Sequence, residues 1–345
     1  MMQRVKFKRK LFFYFVLFLI LGQSCKEDDF LDGYNRAELF SEPTQQELND
    51  VAVVWKQRDL TSKNYAAEQS VTIGSKGTVL KIVSFTVSGF KEYGALMIPA
   101  SDKIMPVRMY VGGFGIDITK NSIAVVEDNS SSGDSFIFAF PALRGQSLSI
   151  TINGTEYTSP VSGGEHCDAF DGAADDAIAF LNVIAANETK ADTQRTAIQG
   201  GSRGATVALL VAERDARIKG AVAVAGPVDL ITLTSTSEND RTYQCQFLQD
   251  LVSGSQSVAQ ARLNMIASSA IYFAGNLPRT QLHLAVDDKI VPISQGEELE
   301  TKMKSIGLAD RLEYFVYAGR DHTSIGTGNT EMNTRISQFL TQVLK

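Results

Sequence analysis

Ser202 stands in Gly200-Gly201-Ser202-Arg203-Gly204, between Thr196-Ala197-Ile198-Gln199, which reads as a strand, and residues 205–214, which read as an apolar helix. A serine hydroxyl is a weak nucleophile. It becomes useful when a sharp turn holds it outward, between a general base and donors for a developing oxyanion. Gly200 and Gly204 leave room for the strand and helix backbones to approach, and Gly201 and Gly204 tolerate strained backbone angles. The chain has three histidines, so a base can be chosen by elimination. His283 falls inside an apolar strand and His166 in a loop before the serine. His322 follows the last strand, in Tyr317-Ala318-Gly319-Arg320-Asp321-His322, at the sheet edge where catalytic groups collect. An acid that orients the imidazole and stabilises its charge belongs on another loop of that edge. Val286-Asp287-Asp288-Lys289 offers two candidates there, and Asp229, after the preceding strand, is held in reserve.

The elements that must position these groups follow from the apolar pattern. Residues 78–87 and 94–99 read as strands joined by a glycine-containing turn. Residues 107–111 run into Gly112-Gly113-Phe114-Gly115, and residues 135–140 into Pro141-Ala142-Leu143-Arg144-Gly145; apolar runs ending in such loops are the mark of buried parallel strands. A helix over 173–187, with Asp171 as a cap, leads to the serine strand. Residues 218–225 form a further strand, and residues 231–280 interrupt the alternation as an insertion beside the site. A strand over 280–286, a helix opened by a Ser294/Glu297 capping box and closed by Gly307, a strand over 312–317 and a helix over 330–344 complete the chain. The alternation predicts an α/β fold with a mostly parallel central sheet and helices on both faces.

Here a resemblance becomes specific. Residues from about 75 to 345 resemble α/β-hydrolases of the prolyl oligopeptidase and dienelactone hydrolase-like group, many of whose members are esterases. Ile266-Ala267-Ser268-Ser269-Ala270-Ile271-Tyr272, Leu284 to Pro292, and Tyr317 to His322 are similar to that group's "SP-I-x-Y", "HGxxDxxVP" and "YxGxxH" segments. The chain order Ser, Asp, His is also that of the α/β-hydrolases. Register against Val291-Pro292 selects Asp288 over Asp287 and implies a triad of Ser202, Asp288 and His322. Three positions depart from the pattern: Leu284-Ala285 stands for His-Gly before the acid, Gly112-Gly113 for the His-Gly of many esterases, and Val111 for the tyrosine of true prolyl oligopeptidases. Without that phenol, the oxyanion falls to backbone N–H groups, assigned to Phe114 and Arg203. Arg144 also lies in a family-like segment, with an ion pair as its expected role.

The first residues have a different character. Arg4, Lys6, Lys8, Arg9 and Lys10 precede the apolar run of residues 11–21, which fits a signal-peptide core over 1–24. Leu21-Gly22-Gln23-Ser24-Cys25 resembles the lipobox of bacterial lipoproteins, and Lys26-Glu27-Asp28-Asp29 the export tag of Bacteroidetes-type surface lipoproteins. These imply acylation of Cys25 and anchoring to the lipid bilayer. The expected location is the outer membrane, with surface exposure, or otherwise the periplasm. Residues 25–70 read as a polar spacer and 71–345 as the hydrolase domain. Residues 1–24 carry five positive charges and no negative ones, so their loss takes the formal charge from −6 to −11. Such an acidic body argues against nucleic acid as a partner. Cys167 and Cys245 then remain as an even pair that an oxidising compartment would allow to bond, subject to their Cα separation.

No Cys/His/carboxylate cluster with ligand spacing is present along the chain, so neither metal nor cofactor is expected. The expected activity is cleavage of a small ester through an acyl-enzyme. The alternatives are a peptidase of the prolyl oligopeptidase type acting on short peptides, and a non-catalytic surface lipoprotein that keeps the fold as a binding module. The chain has no room for the propeller domain of full-length oligopeptidases, which favours the esterase.

Overall fold

The computed structural model describes residues 29–113, 120–125 and 136–345. Its strands are β1 (Lys63–Ile73), β2 (Thr78–Val87), β3 (Phe90–Ile98), β4 (Met105–Val111), β5 (Lys120–Val125), β6 (Ile137–Ala142), β7 (Ser147–Ile152), β8 (Thr155–Thr158), β9 (Ala191–Gly201), β10 (Ile218–Val224), β11 (Arg279–Ala285) and β12 (Leu312–Tyr317). Nine of them form one sheet in the order β1-β2-β3-β6-β4-β9-β10-β11-β12. Neighbours from β1 to β6 pair antiparallel, and those from β6 through β4 to β12 pair parallel. Between β2 and β3, Val87 pairs with Phe90, leaving Ser88 and Gly89 as a two-residue turn with φ of 50° and 85°. Two positive φ values are what a turn following the natural twist of a hairpin requires.

Crossover connections put helices on the faces of the parallel half. On one face, helices Asp171–Asn187 and Arg203–Arg214 bury Phe180, Leu181, Val207 and Leu210 against Val107, Met109 and Ile198. On the other, helix Thr330–Val343 lays Met332, Ile336, Phe339 and Leu340 over Ala197, Val222 and Val224. The antiparallel half is covered differently. There β5, β7 and β8 form a small separate sheet, and Leu148, Ile150 and Ile152 pack on Ile82, Ala95 and Phe140.

Three expectations need correction. The segment read as a polar spacer is part of the body over its described residues: Leu31 and Leu39 are fully buried, Val51 is buried beside them, and β1 closes the sheet edge. Helix Gln45–Gln57, started by a Thr44/Glu47 capping box, lies against helix Val258–Ala267 of the insertion. Arg262 ties the two by bonding the Glu47 carboxylate and the Glu38, Leu39 and Ser41 carbonyls, and it holds the Glu47 carboxyl down to about 2. Asp171 does not cap its helix; its carboxylate binds Trp55, Arg58 and Arg214 instead. Ser294 is the first helical residue rather than the cap, which is Ile293.

The insertion after β10 is helical. It runs through Leu230–Thr236, a π-type turn at Gln244–Leu248, Val258–Ala267 and a 3-10 turn at Ala270–Asn276. Its apolar residues, among them Phe247, Leu248, Met265 and Ile266, continue the main core.

Candidate active site

Ser202 ends β9 and opens helix Arg203–Arg214 with φ 53° and ψ −129°. A non-glycine residue held there costs about 1–3 kcal/mol, so surrounding contacts must impose it. One is the Ser202 N–H, which donates to the Val224 carbonyl of β10 at 2.8 Å. Others are steric. A Cβ at Gly200 would collide with the Gly204 carbonyl, and one at Gly204 with the Val111 and Gly112 carbonyls. These two glycines permit the close approach expected of them. The strained angle expected at Gly201 and Gly204 falls on Ser202 itself, since neither glycine has positive φ.

The turn delivers Ser202 Oγ to 2.9 Å from His322 Nε2. His322 Nδ1 lies 2.8 Å from Asp288 Oδ2. A carboxylate on Nδ1 fixes the tautomer with its proton there, leaving Nε2 to accept from the serine hydroxyl. Asp288 is itself held, because its Oδ1 accepts the Ile290 and Val291 N–H groups, each at 2.8 Å. Burial raises the Asp288 pKa, but the His322 contact and these backbone donors outweigh it and the net shift is downward. The carboxylate therefore stays charged beside the imidazole. Asp287 points outward and is exposed, while its N–H donates to the Arg320 carbonyl at 3.0 Å, joining the acid loop to the histidine loop. Within the latter, Asp321 accepts the Thr323 and Ser324 N–H groups and so shapes the turn that presents His322.

Arg203 begins the elbow helix, where backbone N–H groups carry the positive end of the peptide dipoles. Gly113 comes up on the opposite side, close enough that a Cβ there would lie 3.5 Å from that of Ser202. Phe114, the other assigned oxyanion donor, lies outside the described residues, as do Cys25 and the signal segment.

The remaining candidates are placed elsewhere. His283 is fully buried in β11 between the Tyr317 hydroxyl at 3.0 Å and Gln281 Oε1 at 3.2 Å, and burial pushes its pKa down to about 3. Asp229 caps helix Leu230–Thr236 by accepting the Ile231 and Thr232 N–H groups. Cys167 and Cys245 are disulfide-bonded with a Cα separation of 5.3 Å.

Beneath the elbow is a polar network that sequence reasoning largely missed. The buried Arg203 guanidinium donates to Gln146 Oε1 at 3.2 Å, and burial lowers its pKa to about 9. Arg144 has the ion-pair role expected, and its partners are Asp176 at 2.7 Å and Asp168. Glu92 of β3 meets Asp176 from the other side; burial first, then that carboxylate, push it well above the usual carboxylate range. The available signal was helix Asp171–Asn187, which carries Asp175 and Asp176 on an otherwise apolar element.

A model of the prolyl oligopeptidase family matches residues 168–345. Among solved structures, acetyl xylan esterase 1 from a Thermoanaerobacterium species superposes with a TM-score of 0.63 at 12% identity, covering 87% of this chain and 94% of that one. An acetyl xylan esterase from a Paenibacillus species gives 0.59 at 16% identity, covering 90% and 99%. A puromycin-hydrolysing peptidase of Mycobacterium tuberculosis gives 0.52 at 17% identity, covering 77% of this chain and 46% of its own. None of the curated proteins matches the sequence. At these identities the structural likeness is one of fold, and the fold is that of the α/β-hydrolases.

Proposed function

This chain belongs to the prolyl oligopeptidase family, and from that premise we propose that it is a serine hydrolase cleaving small carboxylic esters through an acyl-enzyme. The observation that carries this reading is the strained Ser202, 2.9 Å from the same imidazole that Asp288 holds from behind. Ser202 Oγ attacks the ester carbonyl as His322 Nε2 takes its proton. The oxyanion is assigned to the N–H groups of Phe114 and Arg203, the latter at the start of the elbow helix. Collapse breaks the C–O bond, His322 returns the proton to the departing alcohol, and water repeats the sequence to release the acid.

Ester cleavage is preferred to peptide cleavage because the similarity to the two acetyl xylan esterases spans nearly all of both chains, whereas it spans less than half of the peptidase. Val111 also offers no hydrogen-bond donor at the position where the peptidases' tyrosine would stand. The test is a fluorophosphonate probe followed by a substrate panel. Labelling of the folded protein should vanish in Ser202→Ala, and aryl acetates should turn over faster than aminoacyl-proline amides. Equal labelling of the alanine variant would remove Ser202 from the mechanism. Faster amide turnover would favour the peptidase.

We infer further, from the basic and apolar segments before it, that Cys25 is acylated and holds the protein at a bacterial outer membrane. The full chain should then fractionate with membranes and Cys25→Ala should be soluble. Two equally soluble forms would end this reading.

A further inference from the structure

His166 takes no part in the chemistry above, yet it sits on the disulfide. The loop before helix Asp171–Asn187 carries His166 and Cys167, and the π-type turn of the insertion brings Cys245 onto them. His166 Nε2 is 3.5 Å from Cys167 Sγ and 3.7 Å from Cys245 Sγ. All three atoms lie within 4.8 Å of one another, and His166 is partly exposed. The cluster forms part of the wall of a cavity of about 760 Å3 that Glu165, Asp168 and Asp250 also line. Gln246 lines it too. Its Oε1 accepts the Ala169 N–H at 2.8 Å, and its buried Nε2 has no partner among the described residues.

Tetrahedral zinc has Zn–S bonds of about 2.3 Å and Zn–N bonds of about 2.0–2.1 Å, which places sulfur and nitrogen roughly 3.5–3.6 Å apart. Both observed S···N separations are close to that edge of the tetrahedron. The third edge, between the sulfurs, opens only when their bond is broken. We propose that the reduced chain binds a thiophilic divalent cation of the zinc class through Cys167, Cys245 and His166, so that disulfide and metal site are alternative states of the same atoms.

The chemistry balances with a dithiol as reductant. It supplies two electrons and two protons to the S–S bond, becomes a disulfide itself and leaves two thiols, whose protons the cation then displaces. His166 binds through unprotonated Nε2. Of the four acidic residues that line the cavity, Asp168 pairs with Arg144 and Asp171 with Arg58, so Glu165 and Asp250 are the ones that favour entry of a cation. Sequence spacing gave no hint of this set, because Cys245 is 78 residues from Cys167 and joins it only through the fold.

The test uses the full chain with Cys25→Ala, reduced with a phosphine, freed of metal and titrated with Co2+ and then Zn2+. Two thiols should become titratable while near-UV circular dichroism stays folded. One equivalent of Co2+ should then give thiolate charge-transfer and tetrahedral visible bands that Zn2+ removes, and the oxidised chain should give none. Loss of an outer partner of a metal ligand costs about 10–100-fold in affinity, so His166→Ala, which removes a ligand, should cost at least ten-fold. Cys167→Ser combined with Cys245→Ser should abolish binding. The proposal is overturned if the folded chain shows no thiols after reduction, if the reduced chain gives no bands, if bands appear only after the folded signal is lost, or if His166→Ala binds as tightly.

Discussion

Asp287 and Asp288 follow the same strand and face opposite ways, as successive residues at a strand end do. Asp288 is buried against His322 and the Ile290 and Val291 N–H groups, while Asp287 reaches solvent. Asp288→Asn keeps the shape but loses the charge that stabilises the imidazolium. Its turnover of an aryl acetate should fall by roughly four orders of magnitude, by comparison with the same change in other triads. Asp287→Asn keeps the backbone bond to Arg320 and should retain most activity. The opposite pattern would move the acid by one residue. Serine and base could be read from sequence because each follows a recognisable strand, whereas strand position alone left Asp287 and Asp288 both open and the family resemblance chose between them. The φ of 53° at Ser202 could not, since it is imposed by contacts with β10 and the glycines rather than by the residue's own preference.

At the scale of elements, Arg262 is one of several side chains that dock the N-terminal segment, beside Arg36, Trp55 and Arg58. Arg262 is nearly buried and spans the Glu47 carboxylate and three carbonyls of the segment before it. Removing one partner of a buried pair typically costs about 3–5 kcal/mol. Arg262→Ala should therefore lower the melting temperature by several degrees and expose residues 36–57 to limited proteolysis, with Ser202 labelling intact. Unchanged cleavage there would show that Leu31, Leu39 and Val51 hold the segment without it. The polar composition of residues 26–70 concealed this docking, because three buried apolar side chains dispersed among charges leave no period to read. The parallel strands were legible for the opposite reason: each is a short apolar run closed by a loop. The small sheet of β5, β7 and β8 escaped notice because its strands are short and rich in serine and threonine.

Together with the buried Glu213, Glu92 gives the whole molecule a pH dependence. Its folded pKa lies far above its unfolded value, so between the two the native state holds a proton that the unfolded state has released. Stability from this group is complete below the ordinary carboxylate range, about 4.3, and is lost as pH rises. Denaturant midpoints of the wild-type chain should fall from pH 5 to pH 9, and Glu92→Gln should flatten that slope. A slope of equal steepness in the variant would place the linkage elsewhere.

The docked segment also sets a distance. Asp29 pairs with Arg36, which in turn bonds Glu238 of the insertion, so the described body reaches to within four residues of Cys25. Four extended residues reach at most about 14 Å. On the proposed acylation of Cys25, that reach would keep the Asp29 end of the body close to the headgroups. The insertion leaves the sheet at the same strand ends that carry Ser202, so the proposed anchor would tether the chain beside an element that borders the catalytic edge.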